Sequence, residues 1–246
     1  MCGRYVAAKD PAALVAEFDI DEPSAVQLQP DYNVAPTKQV YIIAERLVEE
    51  EGETQAGTPA GIRMLRVARW GLVPGWAKDP SIGSKMINAR AETAAEKPSF
   101  RAAVARRRCL IPADGYYEWQ PSAQGRKQPF YIHPRNDQSL AMAGLYEWWR
   151  DPTQKEDGDD AWLLTCSVLT TAAQGQLAGI HDRMPGTIAR ADWDAWLDPG
   201  TRVELQPFLA RGWQQEHIQV DPVSTSVNNV RMNGPALIEP LSSLGG

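Results

Sequence analysis

Three consecutive segments indicate the architecture: Gly115-Tyr-Tyr-Glu-Trp-Gln120, Pro129-Phe-Tyr-Ile-His133 and Leu140-Ala-Met-Ala-Gly-Leu-Tyr-Glu-Trp148. Aromatic and aliphatic residues dominate all three, as is usual in β-strands. The connections between them, Pro-Ser-Ala-Gln-Gly and Pro-Arg-Asn-Asp, have the composition of turns. Strands joined by short turns predict consecutive antiparallel hairpins.

Further strands and a few short helices are predicted on either side. The strands are Val40–Ala44, Ile62–Trp70, Cys109–Ile111 and Ala161–Leu169, the first two forming a hairpin with a long acidic connection. The helices are residues 11–18 after an Asp10 N-cap, 97–108, 171–180 and 192–197, whereas Gln29–Pro36 has too much proline for either regular element. Hairpins with few intervening helices predict an α+β fold, a mainly antiparallel β-sheet forming an open or barrel-like core with peripheral short helices.

The chain has 246 residues, without an internal repeat or a domain linker. We expect a single domain over residues 2–240 and a short tail over 241–246. The odd count of three cysteines, two of them in apolar runs, argues against a disulfide framework. No leader and no apolar stretch of spanning length is present, which predicts a cytoplasmic protein with no membrane contact.

The formal net charge of −6 argues against a polyanionic partner. Residues 45–53 and 151–160, however, carry −8 between them and leave +2 for the rest of the chain. A basic face is therefore possible. Arg106, Arg107 and Arg108 end a predicted helix, where they either stabilise the helix dipole or contact phosphate, and the sequence leaves both interpretations open.

The first residues are Met1-Cys2-Gly3-Arg4. Cleavage of Met1 would leave Cys2 with a free α-amine beside its thiol. This 1,2-aminothiol condenses with an aldehyde and then closes a thiazolidine ring, and we expect accessible neutral amine and thiolate near neutral pH. The alternative is an incidental residue at a frayed terminus.

Three other residues are candidates for proton transfer or positioning. Glu118 faces either solvent or a cleft, and in a cleft its pKa would rise to suit proton transfer. His181 occupies a loop, as a surface residue or an acid–base group. Asn88 either caps a turn or orients an amine. The spacing of histidines and cysteines offers no metal motif, and no cofactor is expected.

Seven short motifs recur in the same order in one known family. They are Met1–Arg4, Tyr32–Pro36, Trp70–Trp76, Ile87–Thr93, Asp114–Trp119, Ile180–Pro185 and Val223–Val230. On these motifs the chain resembles the SOS response-associated peptidase (SRAP) family, and the resemblance extends from Cys2 to about Pro240.

The resemblance implies recognition of abasic sites in single-stranded DNA and a covalent crosslink through Cys2, with peptidase activity directed mainly at Met1. It implies that Asn88 positions the amine of Cys2, while Glu118 and His181 move protons, so we expect the N-terminus to be buried and well ordered. The implied DNA contacts are Arg4, Arg90 and Arg183 to phosphates and Pro36, Trp76 and Trp119 to bases. Ala77 stands where some relatives carry a second aromatic residue, which predicts a different DNA wedge.

The partner implied is therefore single-stranded DNA containing abasic sites, bound by a monomer that is nucleoid-associated when on DNA. Two alternatives remain. An N-terminal-nucleophile hydrolase would use Cys2 on an amide or ester, with its own amine as the base. A noncovalent DNA-binding module would not need Cys2.

Overall fold

The computed structural model describes residues 2–47, 61–121, 125–154, 158, 161–212 and 215–241. Several predicted features lie wholly or partly outside these ranges: the acidic connection 49–61, the turn 121–125, the acidic stretch 151–160 and the tail 241–246. No helix in the described part of the chain is long and apolar enough to cross a membrane.

Strands and helices of the described ranges are numbered in chain order. The strands are β1 (Tyr5–Ala7), β2 (Asp31–Val34), β3 (Gln39–Leu47), β4 (Gly61–Trp70), β5 (Asn88–Arg90), β6 (Arg108–Ala113), β7 (Gly115–Pro121), β8 (Lys127–Pro134), β9 (Leu140–Arg150), β10 (Trp162–Ala172), β11 (Arg183–Pro185) and β12 (Ile218–Pro222). The α-helices are α1 (Pro11–Glu17), α2 (Ala91–Ala94), α3 (Arg101–Arg106), α4 (Trp193–Leu197) and α5 (Leu205–Gly212).

Five of the strands close into a barrel. In the order β10, β4, β3, β6, β9, each strand hydrogen-bonds to the next, and β9 pairs again with β10. Directions cannot alternate all the way round a ring with an odd number of strands, so at least one neighbouring pair must run parallel. That pair is β4 and β10, in register at Arg69–Thr165 and Trp70–Cys166. The predicted α+β class with a mainly antiparallel, barrel-like core is confirmed.

The second sheet has the order β12, β8, β7, β1, β2. Its strand β1 lies near the N-terminus yet sits inside the sheet, where Tyr5 pairs with Val34 on one side and with Tyr116 on the other. Tyr5 and Tyr116 also share a hydrophobic cluster with barrel residues such as Trp70. The rings of Tyr5 and Trp70 meet edge to face at 5.2 Å. The N-terminal strand is therefore held on both edges and packed against the barrel.

Short helices cover the barrel from outside, as predicted. The side chain of Asp10 accepts a hydrogen bond from the amide of Ala12 and so caps α1. Phe18, after α1, stacks on Trp193 of α4 with ring centroids 4.6 Å apart. Both rings belong to the cluster that contains Ile43 of the barrel.

The prediction of a helix over residues 171–180 is wrong. Strand β10 continues to Ala172 because Thr170 to Ala172 pair with β11, and β-branched threonines suit a strand. A single 3-10 turn, Gly175–Gly179, follows, and Gly175 has a φ of +53°, which glycine adopts at little cost. Residues 29–36, predicted to be irregular, include strand β2.

The helix predicted over residues 97–108 is also shorter than expected. It ends at Arg106, and Arg108 is the first residue of β6, where its side chain is buried. The Arg108 guanidinium donates hydrogen bonds to backbone carbonyls at the C-terminal end of α3 and around the end of α4. These carbonyls belong to Val104, Ala105, Trp196, Asp198 and Thr201. Arg107 pairs with Glu147 at 2.6 Å.

Replacing Arg108 tests this bridging role. Arg108→Ala removes the donor from five carbonyls, and we expect it to lower the free energy of unfolding by about 3 kcal/mol or more. Arg106→Ala, at an exposed position two residues earlier, should change it by less than about 0.5 kcal/mol. Urea denaturation followed by tryptophan fluorescence measures both, and similar losses in the two variants would contradict the role given to Arg108.

Candidate functional site

The N-terminal residues lie beside β7. The amide of Tyr117 donates to the carbonyl of Arg4, and the antiparallel register places Gly3 opposite Glu118. Cys2 is fully buried. The interpretation of Cys2 as part of a frayed terminus is therefore excluded.

Asn88 connects Cys2 to the barrel. It begins β5, which runs parallel to β10 and pairs there with Val168. Its Nδ2 donates to the carbonyl oxygen of Cys2 at 2.8 Å. Its Oδ1 is buried and accepts no hydrogen bond from the described residues. A buried amide oxygen without a donor is costly, so this oxygen marks a position where a further donor fits.

Glu118 faces the cleft and not solvent. Tyr117 and Trp119 share the opposite face of β7, with ring centroids 6.4 Å apart, as the two-residue period predicts. The Glu118 side chain is buried, and burial raises its pKa. The nearby His181 lowers the same pKa, but the net direction is upward. Desolvation disfavours the charged carboxylate, so the expected upward direction is confirmed.

His181 lies in the turn that leads into β11. Its Nδ1 lies 2.8 Å from Oδ1 of Asp182 and 3.0 Å from the amide nitrogen of Arg183. When Nδ1 accepts from that amide, the ring proton sits on Nε2. Asp182 and the Arg183 amide thus hold the ring in place at the cleft.

The thiol of Cys2 is buried among apolar groups. Burial raises its pKa, and the negative charge of Glu118 raises it further. The thiol therefore stays protonated at neutral pH. The expectation of an accessible thiolate is wrong, because burial disfavours the charged form of the thiol.

Glu118 and His181 open onto a cleft of about 480 Å³. The other residues that line it are Gly3, Arg4, Trp119, Lys127 and Asn228. Lys127 and Asn228 were not among the predicted site residues. Asn228 accepts a hydrogen bond from Nε1 of Trp119 at 2.7 Å. Its position in the C-terminal motif could have identified it as a site residue. Lys127 had no signal beyond its charge at the start of a strand.

The three predicted phosphate contacts differ in their surroundings. Arg90 is exposed on β5. Arg4 donates through Nη1 to Oδ1 of Asn33 at 2.7 Å and to the carbonyl of Val227 at 2.8 Å, and its guanidinium lies 5.8 Å from the centre of the Trp119 ring. Arg4 therefore anchors β2 and the C-terminal segment as well as lining the cleft.

Arg183 already has a carboxylate partner. It forms a two-point ion pair with Glu92, at 2.7 and 2.9 Å, and also donates to the carbonyl of Thr170. The neighbouring Asp182 contacts His181 and not Arg183. A phosphate at Arg183 would have to compete with Glu92.

The predicted apolar contacts differ in exposure. Trp76 is 60% exposed, while Pro36 and Trp119 are half-buried. Ala77 is buried beside Trp149, whose Nε1 donates to the carbonyl of Ala77 at 2.8 Å. A large side chain at position 77 would have to displace Trp149. The chain thus presents one exposed ring at this loop.

The raised pKa of Glu118 predicts a pH-dependent stability difference. The folded chain keeps this proton at pH values where the unfolded chain, with an ordinary value of 4.5, has lost it. Stability from this group is therefore present below about pH 4.5 and is lost as the pH rises through the folded pKa. Glu118→Gln should unfold at a higher urea concentration than the native chain at pH 8, and the gap should narrow towards pH 5. Glu239→Gln, at an exposed site, is the control, and a pH-independent gap would contradict the assignment.

Comparisons with known proteins cover most of the chain. The family model described as SOS response associated peptidase (SRAP) matches residues 1–230. The abasic site processing protein YoqW of Bacillus subtilis is 36% identical over 242 residues, which cover 97% of this chain and 99% of that protein. The abasic site processing protein HMCES of Gallus gallus is 32% identical over 236 residues, which cover 87% of this chain and 67% of that protein.

A crystal structure of a protein from Bacteroides thetaiotaomicron has the same fold. It superposes with a TM-score of 0.77 at 23% identity and covers 98% of this chain and all of that one. The fold, the family model and the relatives agree. The chain belongs to the SOS response associated peptidase (SRAP) family.

Proposed function

We propose that this protein recognises abasic sites in single-stranded DNA and captures them covalently through Cys2 after removal of Met1. The observation that carries the proposal is the position of Cys2, which Asn88 holds beside a cleft lined by Glu118 and His181. The names of the relatives YoqW and HMCES, abasic site processing proteins, support the same substrate.

The chemistry requires the α-amine of Cys2 to be free. Removal of Met1 hydrolyses one peptide bond and gives Cys2 a primary amine. The buried Oδ1 of Asn88 lacks a donor among the described residues, and in the processed chain the amine of Cys2 supplies one. The two ends of one amide side chain then hold the carbonyl and the amine of the same residue.

The reaction begins at the sugar aldehyde. An abasic deoxyribose equilibrates with an open-chain aldehyde, and Glu118 assists the ring opening by transferring a proton. The amine of Cys2 attacks C1′, and His181 protonates the hydroxyl, which leaves as water and gives an imine. The Cys2 sulfur then bonds to the same carbon while the thiol proton passes to the nitrogen. The products are a thiazolidine and one water molecule.

The buried thiol sets the order of these steps. Because its pKa is raised, little thiolate is available to attack first, and the amine is the better initial nucleophile. The imine that forms is a strong electrophile next to the thiol. The thiazolidine resists the β-elimination that an imine promotes, so the crosslink shields the lesion from strand cleavage.

The surrounding residues supply DNA contacts. Trp76, with Pro36 and Trp119, offers apolar surface for bases, and each stacked base is worth ~1–3 kcal/mol. Arg90 forms no side-chain hydrogen bond or ion pair with the described residues and is free to contact a phosphate. Arg183 would have to give up Glu92 to do so, and Arg4 would contact a phosphate while bonded to Asn33 and Val227. The net charge of −6 predicts modest, salt-sensitive affinity, with the covalent bond supplying persistence.

The serine variant of residue 2 separates the two nucleophiles. The native protein, mixed with an abasic single-stranded oligonucleotide, should give a mass increase that survives denaturation. Cys2→Ser keeps the amine but lacks the sulfur, so we expect an adduct only after borohydride reduction of the imine. Intact mass spectrometry measures both, and it first establishes whether Met1 is absent.

Three outcomes would contradict the proposal. A native chain that keeps Met1 in full cannot form the ring. Cys2→Ala with unchanged DNA-dependent activity would favour a noncovalent binding module. Turnover of an amide or ester substrate without any DNA adduct would favour the hydrolase.

Proton transfer is tested by crosslinking rates. Glu118→Gln and His181→Ala should each slow crosslink formation by about 100-fold, the lower range for loss of general acid–base catalysis. Glu239→Gln and His217→Ala change the same residue types at exposed positions and should leave the rate unchanged. Quenched time courses on denaturing gels give the rates, and circular dichroism checks the folding of each variant. If Glu118→Gln and His181→Ala form the crosslink as fast as the native protein, those residues have no role in the mechanism.

A further inference from the structure

A second groove, here called the α3 groove, lies between α3 and the loop that follows α4. Its volume is about 670 Å³, in the size range of ligand-binding pockets. Leu47, Val104 and Val203 contribute apolar surface, and Arg101, Arg106 and Arg202 contribute charge. No acidic residue lines it in the described part of the chain.

The three arginines of the α3 groove lack partners within the described ranges, where their side chains form neither hydrogen bonds nor ion pairs. Arg107 and Arg108 on the same segment are engaged, by Glu147 and by backbone carbonyls. The basic cluster seen in the sequence therefore divides, and Arg106 is the member left for a ligand.

Arg101 is placed against local preference. It occupies the first position of α3, where the helix dipole disfavours a positive charge by about 0.3–1 kcal/mol. Of the nearby acids, Asp198 uses its carboxylate oxygens on the Gly200 amide and the Thr201 hydroxyl. Glu204 is exposed beyond the end of the groove. The positive charge of the groove is therefore not neutralised by these neighbours.

The lining of the groove distinguishes among anionic ligands. Its described residues include no aromatic ring. By contrast, the cleft lined by Glu118 and His181 next to Cys2, here called the Cys2 cleft, includes Trp119. A single DNA strand gains much of its affinity by stacking bases on aromatic side chains. Leu47 is 42% exposed and gives an apolar surface without a ring. Arginines around aliphatic side chains fit a peptide that carries both carboxylates and apolar groups.

Both walls of the groove are fixed in advance. The buried Arg108 guanidinium donates to Val104 and Ala105 in α3 and to Asp198 and Thr201 in the loop. One side chain thus sets the separation of the walls. A ligand then binds without the entropic cost of ordering them.

The α3 groove and the Cys2 cleft lie towards opposite ends of the barrel. Leu47 pairs with Gly61 at the start of β4, and Trp70 at its other end packs in the cluster with Cys2. The ten residues of β4 span roughly 30 Å. A ligand in the groove leaves the cleft open.

We propose that the α3 groove binds an acidic peptide segment with apolar side chains, supplied by a partner protein. The assignment rests on charge complementarity with three arginines that have no partner among the described residues, and on the aliphatic side chains that line the described part of the groove. The proposal does not depend on the covalent chemistry of Cys2.

Fluorescence anisotropy with the full chain tests it. The probe is a labelled peptide of alternating aspartate and leucine residues, and the comparison probes are its asparagine–leucine counterpart and a single-stranded oligonucleotide without an abasic site. We expect binding of the acidic peptide that weakens with salt, and at least about tenfold weaker binding of the neutral peptide.

Charge reversal locates the site. Arg101→Glu combined with Arg202→Glu should weaken acidic-peptide binding at least about tenfold and leave the crosslinking rate at Cys2 unchanged. Arg101→Glu favours the dipole of α3, so folding is expected to be preserved. Lys85→Glu, an exposed reversal outside the groove, should have no effect on peptide binding.

Three results would overturn the proposal. One is no measurable binding of the acidic peptide, and another is equal weakening by Lys85→Glu. The third is preferential oligonucleotide binding that the double reversal abolishes, which would make the groove a nucleic-acid site. The crosslinking assay separates these failures from a failure of the function proposed for Cys2.

Discussion

The hydrogen bond from Asn88 to the carbonyl of Cys2 joins the two sheets at the point where the site forms. Cys2 precedes β1 of the five-stranded sheet, and Asn88 belongs to β5, which is attached to the barrel through β10. Glu118 comes from the same five-stranded sheet as β1, and His181 from the turn before β11, which pairs with β10 of the barrel. The geometry of the site thus depends on how the two sheets pack, and the contact of Tyr5 with Trp70 fixes that packing nearby.

The buried acidic groups of the site hold their protons and carry little charge. Burial raises the pKa of both the Cys2 thiol and the Glu118 carboxyl, which keeps them neutral over a wider pH range than in water. His181 has Asp182 beside it and an amide donor to its ring. Neutral nucleophiles and a carboxyl that can hold its proton suit a condensation in which water must leave. The positive charge required by the proposed DNA contacts lies outside this buried group, on residues such as Arg90.

Much of this arrangement follows from local sequence. Alternation in Tyr116 to Trp119 gave the face of Glu118, and the Asp10 cap gave the start of α1. The motifs suggested one site for Cys2, Asn88, Glu118 and His181; in the structure Asn88 donates to Cys2, and Glu118 and His181 line the adjacent cleft. The burial of Cys2 followed from the resemblance and not from local pattern, because burial arises from strands far apart in the chain. The partners of Arg183 and Arg108 were missed for the same reason.

Predictions from local propensity were wrong where pairing between distant strands determines the structure. Residues 171–180 have helix-compatible alanines and glutamines, yet Thr170 and Thr171 pair with β11 and extend β10 instead. Arg108 looked like part of a helix end, whereas strand β6 takes it into the interior. In both places pairing between strands outweighs helix preferences of a few tenths of a kcal/mol per residue.

The inner position of β1 has a consequence for synthesis of the protein. Tyr5 gains its partner Tyr116 only after β7 has left the ribosome, so the edge of β1 that pairs with β7 stays unpaired until then. At typical translation speeds this interval lasts on the order of 5–20 s. Throughout it, residue 2 is accessible on the growing chain, and afterwards the completed sheet encloses it. The topology of the sheet thereby limits the time during which residue 2 is accessible.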